Sequence, residues 1–341
     1  MDLHPNQGLT NSELIEYLEL PEDILESLGT AQGDSYTAAA NQFLSALVNK
    51  IVMQSVDSAS FENPFKKYDG RPIKYGDTIE NIFVEMPKGY KYDKDATDPF
   101  TRVNPSVKAL YATINYEMQY ETTVYDSLLR RAALSEYGFM NLIDTILAQL
   151  RKSMNIDEYF ATIRMLNNAD LYADGFETIE RVPGDASKTA AAVAERIVNV
   201  TSAFQHPMTA NNKAHVMNVT APSDVLLIIK YDLLNSINLD YLTGVFNLSK
   251  VELIKNIVTV DSFQVATDDE DDVDGLVGED IDFVLLDTRG FDNHVALEDG
   301  GMIYNPKGKY TNHFMNLWKI ISYKYFHNAR AFKLVDPTPG N

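Results

Sequence analysis

The chain has 341 residues, 49 acidic against 29 basic side chains for a formal charge of −20, and no cysteine. These counts exclude disulfides, thiolate catalysis, iron–sulfur clusters and Cys-based zinc sites, and so acidic a chain does not suit a protein whose main task is gripping phosphate. Hydrophobic residues at 45% and charged ones at 23% fit a folded protein long enough for two cores, and the sequence carries neither a signal-peptide pattern nor an apolar run of membrane length.

Thr10 and Glu13 have capping-box spacing ahead of Leu14, Ile15 and Leu18, which predicts a helix over 10–28 interrupted at Pro21. A Gly/Ala/Ser-rich joint, Gly29–Ala40, leads to a second helical stretch at Phe43–Val52, so residues 1–60 read as an arm and not a domain. A long Tyr- and Lys-rich excursion begins at Phe61. Ile82, Val84 and Met86 alternate with Phe83 and Glu85 there. From Pro105, Leu110, Ala112, Ile114, Tyr116, Met118 and Tyr120 fall on one face, with Asn115, Glu117, Gln119 and Glu121 on the other. The pattern predicts two long strands joined by a polar loop over Tyr90–Thr101.

Phe139, Leu142, Ile143, Ile146, Leu147 and Leu150 follow the spacing of one helical face. Taken as continuous from Gly138 to Leu166, that helix would span roughly 44 Å at ~1.5 Å per residue. The stripe slips near Asn155, and Asn155 and Glu158 have cap-like spacing, which predicts a kink or a second helix there. Beyond Gly175 the texture alternates. A helix is expected over Ser187–Phe204, strands at His215–Val219, Val225–Ile229, Asn256–Val260 and Asp282–Leu286, and helices near Tyr231–Ile237 and Leu239–Asn247. Asn312–Lys333 is aromatic and mixed in pattern, and is expected to return to the first lobe ahead of the tail at 336–341.

Reactive chemistry is sparse. His4, His206, His215, His294, His313 and His327 are scattered without ligand spacing. Gly184-Asp-Ala-Ser-Lys-Thr lacks the glycine that a phosphate loop needs before Lys188, and is better read as a loop in which Ser187 or Thr189 caps the next helix. Glu270, Asp272, Asp274 and Gly275 match the first, third, fifth and sixth places of a calcium loop, but Ile281 stands at the twelfth. A solvated acidic loop is the stronger reading and a cation site the weaker one. No catalytic residue and no cofactor is assigned. Charge is unevenly spread: Lys66–Lys108 holds nine basic and seven acidic residues, net +2, whereas Asp261–Asp299 holds fourteen acidic residues and Arg289, net −13. In an assembly the excursion of one copy, through Lys66, Lys67, Arg71, Lys74, Lys88, Lys91 and Arg102, is expected to meet acidic surface on another.

Phe43-Leu-Ser-Ala-Leu-Val-Asn-Lys-Ile, Glu62-Asn-Pro-Phe-Lys-Lys-Tyr and Tyr75-Gly-Asp-Thr-Ile-Glu-Asn-Ile-Phe-Val-Glu resemble segments of the major capsid (head) proteins of small short-tailed phages of Gram-positive bacteria. So do Pro105-Ser-Val-Lys with Tyr111-Ala-Thr-Ile-Asn, Asp157-Glu-Tyr, Val258-Thr-Val-Asp-Ser-Phe and Leu317-Trp-Lys-Ile, and the pieces keep the family's order from Phe43 to Phe332. The resemblance implies an α+β chain with the Hong Kong 97-type phage capsid fold. Mapped here, that fold gives an N-terminal arm at 1–60 and an extended hairpin loop at 61–107 lying over an adjacent subunit. It gives a peripheral domain at 108–186 plus 306–335 with its spine helix at 138–166, an axial α/β domain at 187–305, and a flexible tail at 336–341. It further implies a homo-oligomer of hexamers and pentamers tiling an icosahedral shell around double-stranded DNA, without sequence-specific binding and without a membrane. A separate scaffolding protein, a portal or connector at one vertex, assembly in the host cytoplasm and residence in the virion follow from the same resemblance. An encapsulin-type nanocompartment shares the fold and is the nearest alternative; a two-lobed metal-dependent α/β enzyme using Asp268–Asp282 is the distant one.

Overall fold

The computed structural model describes residues 42, 61–74, 76–87, 89, 91, 102, 104–133, 138–237, 256–266 and 276–337. Its first half contains β1 (Ile79–Val84), β2 (Val107–Ala112), β3 (Tyr116–Tyr125), α1 (Asp126–Ala133), α2 (Gly138–Leu166), β4 (Phe176–Glu180) and α3 (Ala186–Phe204). The second half contains β5 (Val225–Lys230), α4 (Tyr231–Ser236), β6 (Ile257–Val260), β7 (Val265–Ala266), β8 (Leu276–Val277), β9 (Phe283–Asp287), β10 (His294–Asn305), β11 (Tyr310–Ile320) and β12 (Ala329–Val335). The predicted arm apart from Gln42, the helix near Leu239–Asn247 and the acidic run with Glu270, Asp272 and Asp274 lie outside the described residues. No helix among those described is long and apolar enough to cross a membrane.

The run Val225-Leu-Leu-Ile-Ile229 has no polar alternation, so a strand made of it needs cover on both faces. The five-stranded sheet β4-β12-β9-β5-β6 supplies the setting. On one face, Val193, Ile197 and Phe204 of α3 pack on Val225, Leu227, Ile229, Phe283 and Phe332, and the last two rings stack with centroids 4.6 Å apart. On the other, Leu226, Ile228, Val284 and Leu286 meet Ile163 and Leu166 at the end of α2.

A second sheet, ordered β10-β11-β3, is antiparallel throughout. On β11, Thr311, His313, Met315, Leu317 and Lys319 are buried and alternate with less buried residues. The outer face is an amide ladder: Gln119 donates to Asn316 and Thr123 to Asn312, each at 2.8 Å across directly paired positions. The expected return of Asn312–Lys333 to the first lobe takes two routes. Residues 310–320 pair with β3, but 329–335 lie between β4 and β9 in the larger sheet. The reason is packing: Ala331 and Phe332 are both fully buried and point to opposite faces, which only the two-sided sheet can cover.

Four local expectations also change. α2 is one continuous helix, with no second start at Asn155. Leu142, Ile146, Leu150, Met154, Glu158, Thr162 and Leu166 form a single buried ridge at i, i+4 spacing. The apolar stripe slips only because Glu158 and Thr162 stand in that ridge, where Thr162 donates to the Glu158 carbonyl at 2.9 Å. The strand expected from Pro105 to Glu121 is broken after Ala112, because the Asn115 side chain takes both the N–H and the C=O of Ile321 and redirects the chain. His215–Val219 is not a strand: His215 has φ 50°, and the Asn212 side chain bonds both backbone groups of Val216. Asp185, not Ser187 or Thr189, caps α3, accepting from Lys188 N–H at 3.0 Å.

His313 sits under the three-stranded sheet with no hydrogen-bond partner for either ring nitrogen among the described residues. Burial pushes its imidazole down to about 4. The unfolded chain binds that proton near pH 6.5 and the folded chain only near 4, so stability is lost as pH falls through this window. Urea unfolding midpoints of the unassembled protein should decline between pH 6.5 and 4, and His313→Leu should flatten the decline. An identical slope in the variant would remove His313 as its cause.

Candidate functional site: the anchored hairpin

The excursion does not leave the body at Phe61. Asn63 is buried and accepts the Phe65 N–H at 3.0 Å, forming a tight turn that drives Phe65 into the core. Phe65 stacks on Tyr159 of α2 with centroids 5.8 Å apart, and Tyr68 lies nearly parallel to Phe291 at 4.6 Å. Beneath these rings Lys319, only 3% exposed at its side chain, reaches Asp69 at 2.6 Å and Glu158 at 3.2 Å. A lysine so deeply buried requires carboxylate partners, and here they come from the excursion's root and from the long helix. Gly70 and Ile73 then donate to the carbonyls of Asn293 and Val295 at 2.7 and 2.9 Å. Only at Gly76, with φ 82°, does the chain turn away.

Beyond that turn β1 and β2 form an antiparallel hairpin with Ile82 opposite Ala109 and Val84 opposite Val107. One face rests on the same subunit. Asn81 donates to Asp292, Phe83 stacks on Phe326 at 5.4 Å, and Lys108 donates to the Ala214 carbonyl at 2.6 Å. The other face is apolar and exposed: Ile82, Val84, Met86, Val107 and Tyr111 are 55 to 64% accessible. Single exposed apolar residues need no explanation, but a contiguous set on one strand pair marks an interaction surface. The sequence signal for this surface is the alternation that puts Ile82, Val84 and Met86 on one side of a strand, and charge spacing does not report it.

The predicted contact lysines and arginines divide. Lys66 donates to Asn155 of α2 at 3.2 Å, Lys67 lies over the Tyr68 ring at 4.9 Å, and the Arg71 carbonyl receives His294 Nδ1 at 2.9 Å. The Lys74 N–H donates to Asp77 at 3.2 Å. These four residues belong to the root. Lys91 and Arg102 are exposed beyond the hairpin strands, and Lys88 lies outside the described residues.

The acidic stretch likewise divides. Asp282, Asp287 and Asp292 are buried, with Asp282 bound to Lys230 at 3.3 Å and Asp292 to Lys324 at 3.4 Å. Asp287 accepts from Thr220, Arg289 and His327, and these bonds outweigh burial to hold its carboxyl far below the usual range. Among described acids of this stretch, Asp261, Glu279 and Asp280 remain exposed, as do Glu298 and Asp299 on β10. The start of α3 is occupied by Asp185, whose carboxyl is held below its ordinary value by the Lys188 N–H, so a phosphate there would meet a carboxylate. Among the described residues no group of His, Asp and Glu is placed to hold a metal ion.

An α2-like spine crossing two sheets, with an anchored hairpin projecting from it, is the architecture of phage shell subunits. The capsid of Staphylococcus phage Andhra superposes with a TM-score of 0.64 over 83% of this chain and 87% of that one, at 12% identity. The mature capsid of bacteriophage PhiM1 gives 0.55 over 84% and 91%, also at 12% identity. The fold is therefore the Hong Kong 97-like one of these capsid structures. The chain belongs to the Phi29-like phage major capsid protein family, whose model matches residues 22–333. It is 28% identical over 307 residues to the major capsid protein of Bacillus phage B103, covering 88% of this chain and 65% of that protein. Identity to the major capsid protein of Streptococcus phage Cp-1 is 28% over 304 residues, covering 85% and 81%. The chain spans just under two thirds of the B103 protein. The family is one of structural virion proteins and not of enzymes.

Removing Lys319 leaves Asp69 and Glu158 facing each other without a cation. Lys319→Met should cost about 3 kcal/mol in urea unfolding, and adding Asp69→Asn and Glu158→Gln should recover much of that loss. Equal stability of Lys319→Met and the wild type would show that the buried triad contributes nothing.

Proposed function

We propose that this chain self-assembles into hexamers and pentamers that tile an icosahedral head around double-stranded DNA. The observation that carries the reading is the family match across nearly the whole chain, and the exposed apolar face of an anchored hairpin supports it. In this reading 61–107 is the extended hairpin loop, with 61–73 as its root on the parent subunit. Residues 138–166 are the spine and 187–305 the axial domain, whose β5, β6 and β9 share the five-stranded sheet with β4 and β12 of the peripheral domain. The outer face of β1 and β2 packs on an adjacent copy. Covering the exposed area of its five apolar residues would contribute on the order of 5 kcal/mol per hairpin, enough to outweigh moderate repulsion between acidic copies. Lys91, Arg102 and Lys88 set register on acidic surface, and a net charge of −20 limits adhesion to DNA. Scaffolding and portal proteins act in the same assembly in the host cytoplasm.

Electron microscopy of the expressed chain, with and without scaffold, should reveal shells or capsomers; a monodisperse monomer under both conditions would overturn the proposal. Ile82→Asp with Val84→Asp should leave unfolding unchanged and abolish particles, since a buried unpaired carboxylate on each copy costs several kcal/mol. Normal particles from that variant would remove the hairpin's outer face from the interface. Separately, Lys88→Glu, Lys91→Glu and Arg102→Glu together should slow assembly, with the defect shrinking as salt screens the charges. Assembly rates equal to wild type at low salt would remove those residues from the contact.

A further inference from the structure

Lys319, Asp69 and Glu158 are placed for more than ion pairing. Lys319 Nζ lies 2.6 Å from Asp69 Oδ2 and 3.2 Å from Glu158 Oε2, and the three side chains are 3%, 18% and 6% exposed. Among the described residues neither carboxylate has another side-chain hydrogen-bond or ionic partner. Two carboxylates sharing one ammonium away from water is a costly arrangement, and an ion pair that served only as an anchor would need just one of them.

The three groups are also held still by separate elements. Lys319 stands on the central strand β11, opposite Tyr116 of β3 and Val295 of β10. The Asp69 N–H donates to the Lys66 carbonyl at 3.1 Å, and the N–H of Gly70 to the Asn293 carbonyl at 2.7 Å. Glu158 sits on the buried ridge of α2. The rings next to the two acids in sequence, Tyr68 and Tyr159, stack on Phe291 and Phe65, both buried. An amine and a carboxyl group kept in contact on rigid elements, with water excluded, meet at effective concentrations that reach ~10⁵–10⁸ M.

We propose that Lys319 and Asp69 of one subunit condense to an amide, which joins the hairpin root covalently to β11, with Glu158 as the general base. Asp69 is the nearer carboxylate and supplies the acyl carbon; Glu158 is within hydrogen-bond reach of the nitrogen whose protons must leave. Lys319 first passes one ammonium proton to the Asp69 carboxylate, giving a neutral amine beside a carboxylic acid. The nitrogen lone pair attacks Cγ of Asp69, and Glu158 takes a second proton from the nitrogen. It delivers that proton to the departing hydroxyl, so that a C–N bond forms, a C–O bond breaks and one water leaves. The amide keeps a single N–H, which donates to Glu158. No oxidant, reductant or activated co-reactant enters, and the chain acts once on itself without turnover. The product replaces a desolvated ion pair by a neutral group, which removes the cost of burying both charges.

Mass spectrometry of the purified full chain after trypsin digestion tests the bond, and the result does not depend on whether the chain forms particles. Modified Lys319 escapes cleavage, and Pro72 protects the bond after Arg71. The expected major form is therefore a branched peptide joining Tyr68–Lys74 to Tyr310–Lys324, lighter than the two together by one water. The branch is the decisive observation, because Asp69-Gly70 can also lose water by closing a succinimide on itself, which leaves the peptides separate. Full recovery of separate peptides, with Lys319 cleaved, would overturn the proposal. So would branching to Ser153–Arg164, the peptide that carries Glu158. Lys319→Met supplies the blank. Glu158→Gln keeps the side chain's size but takes no proton, and should lower the branched fraction at least tenfold; an undiminished fraction would overturn the part given to Glu158.

Discussion

The contact on which the rest depends is the buried Lys319, held between Asp69 and Glu158. It joins the hairpin root, the long helix and the central strand of the three-stranded sheet. A desolvated ammonium cannot tolerate loss of its partners, so the three segments are held in register together. Around it, Phe65, Tyr68, Tyr159 and Phe291 exclude water, which strengthens the pairing by lowering the local dielectric. The hairpin's direction is thereby fixed by its own subunit before any neighbour arrives. Preorganisation of this kind reduces the ordering cost that each contact would otherwise carry.

How much could be read from the sequence depended on whether a residue's role was local. The limits of α2 and the strand at Val225–Ile229 followed from periodicity and run length, because their partners only needed to be apolar. Glu158 defeated the same reasoning. A carboxylate on a helix's buried ridge looks like a break in the pattern until Lys319, far along the chain, is placed beside it. Asn115 and Asn212 were unreadable for a related reason: each redirects the backbone through side-chain bonds to particular peptide groups, and asparagine composition alone does not say which. For the candidate surface, alternation placed Ile82, Val84 and Met86 on one side, but only the fold distinguishes the side resting on Phe326 from the side left open.

The charge asymmetry also reads differently once burial is known. Asp282, Asp287 and Asp292 contribute to the sequence's acidic block but are paired inside the subunit, so a neighbour does not meet them as a field. Likewise Lys66 and Lys67 are engaged near the root. What remains for contacts between copies is smaller and more local than the block totals imply. Local pairs give register and discrimination between partners more than raw affinity, which leaves apolar burial as the main drive for association.

Two kinds of contact are needed to close a shell, and the fold presents a candidate for one of them. A hairpin that projects from one subunit onto a different face of the next makes a heterologous contact, which closes into a ring when the rotation allows. Rings alone do not tile a surface; they must also be joined to one another, and a symmetric junction requires a patch that recognises itself. The apolar hairpin face is suited to the first of these, because its opposite side is committed to Asp292, Phe326 and Ala214 of its own subunit. Because the hairpin root lies along β10 and is tied by Asp69 to Lys319 in the adjacent strand, load on that contact falls on the buried charge cluster and through it on the long helix.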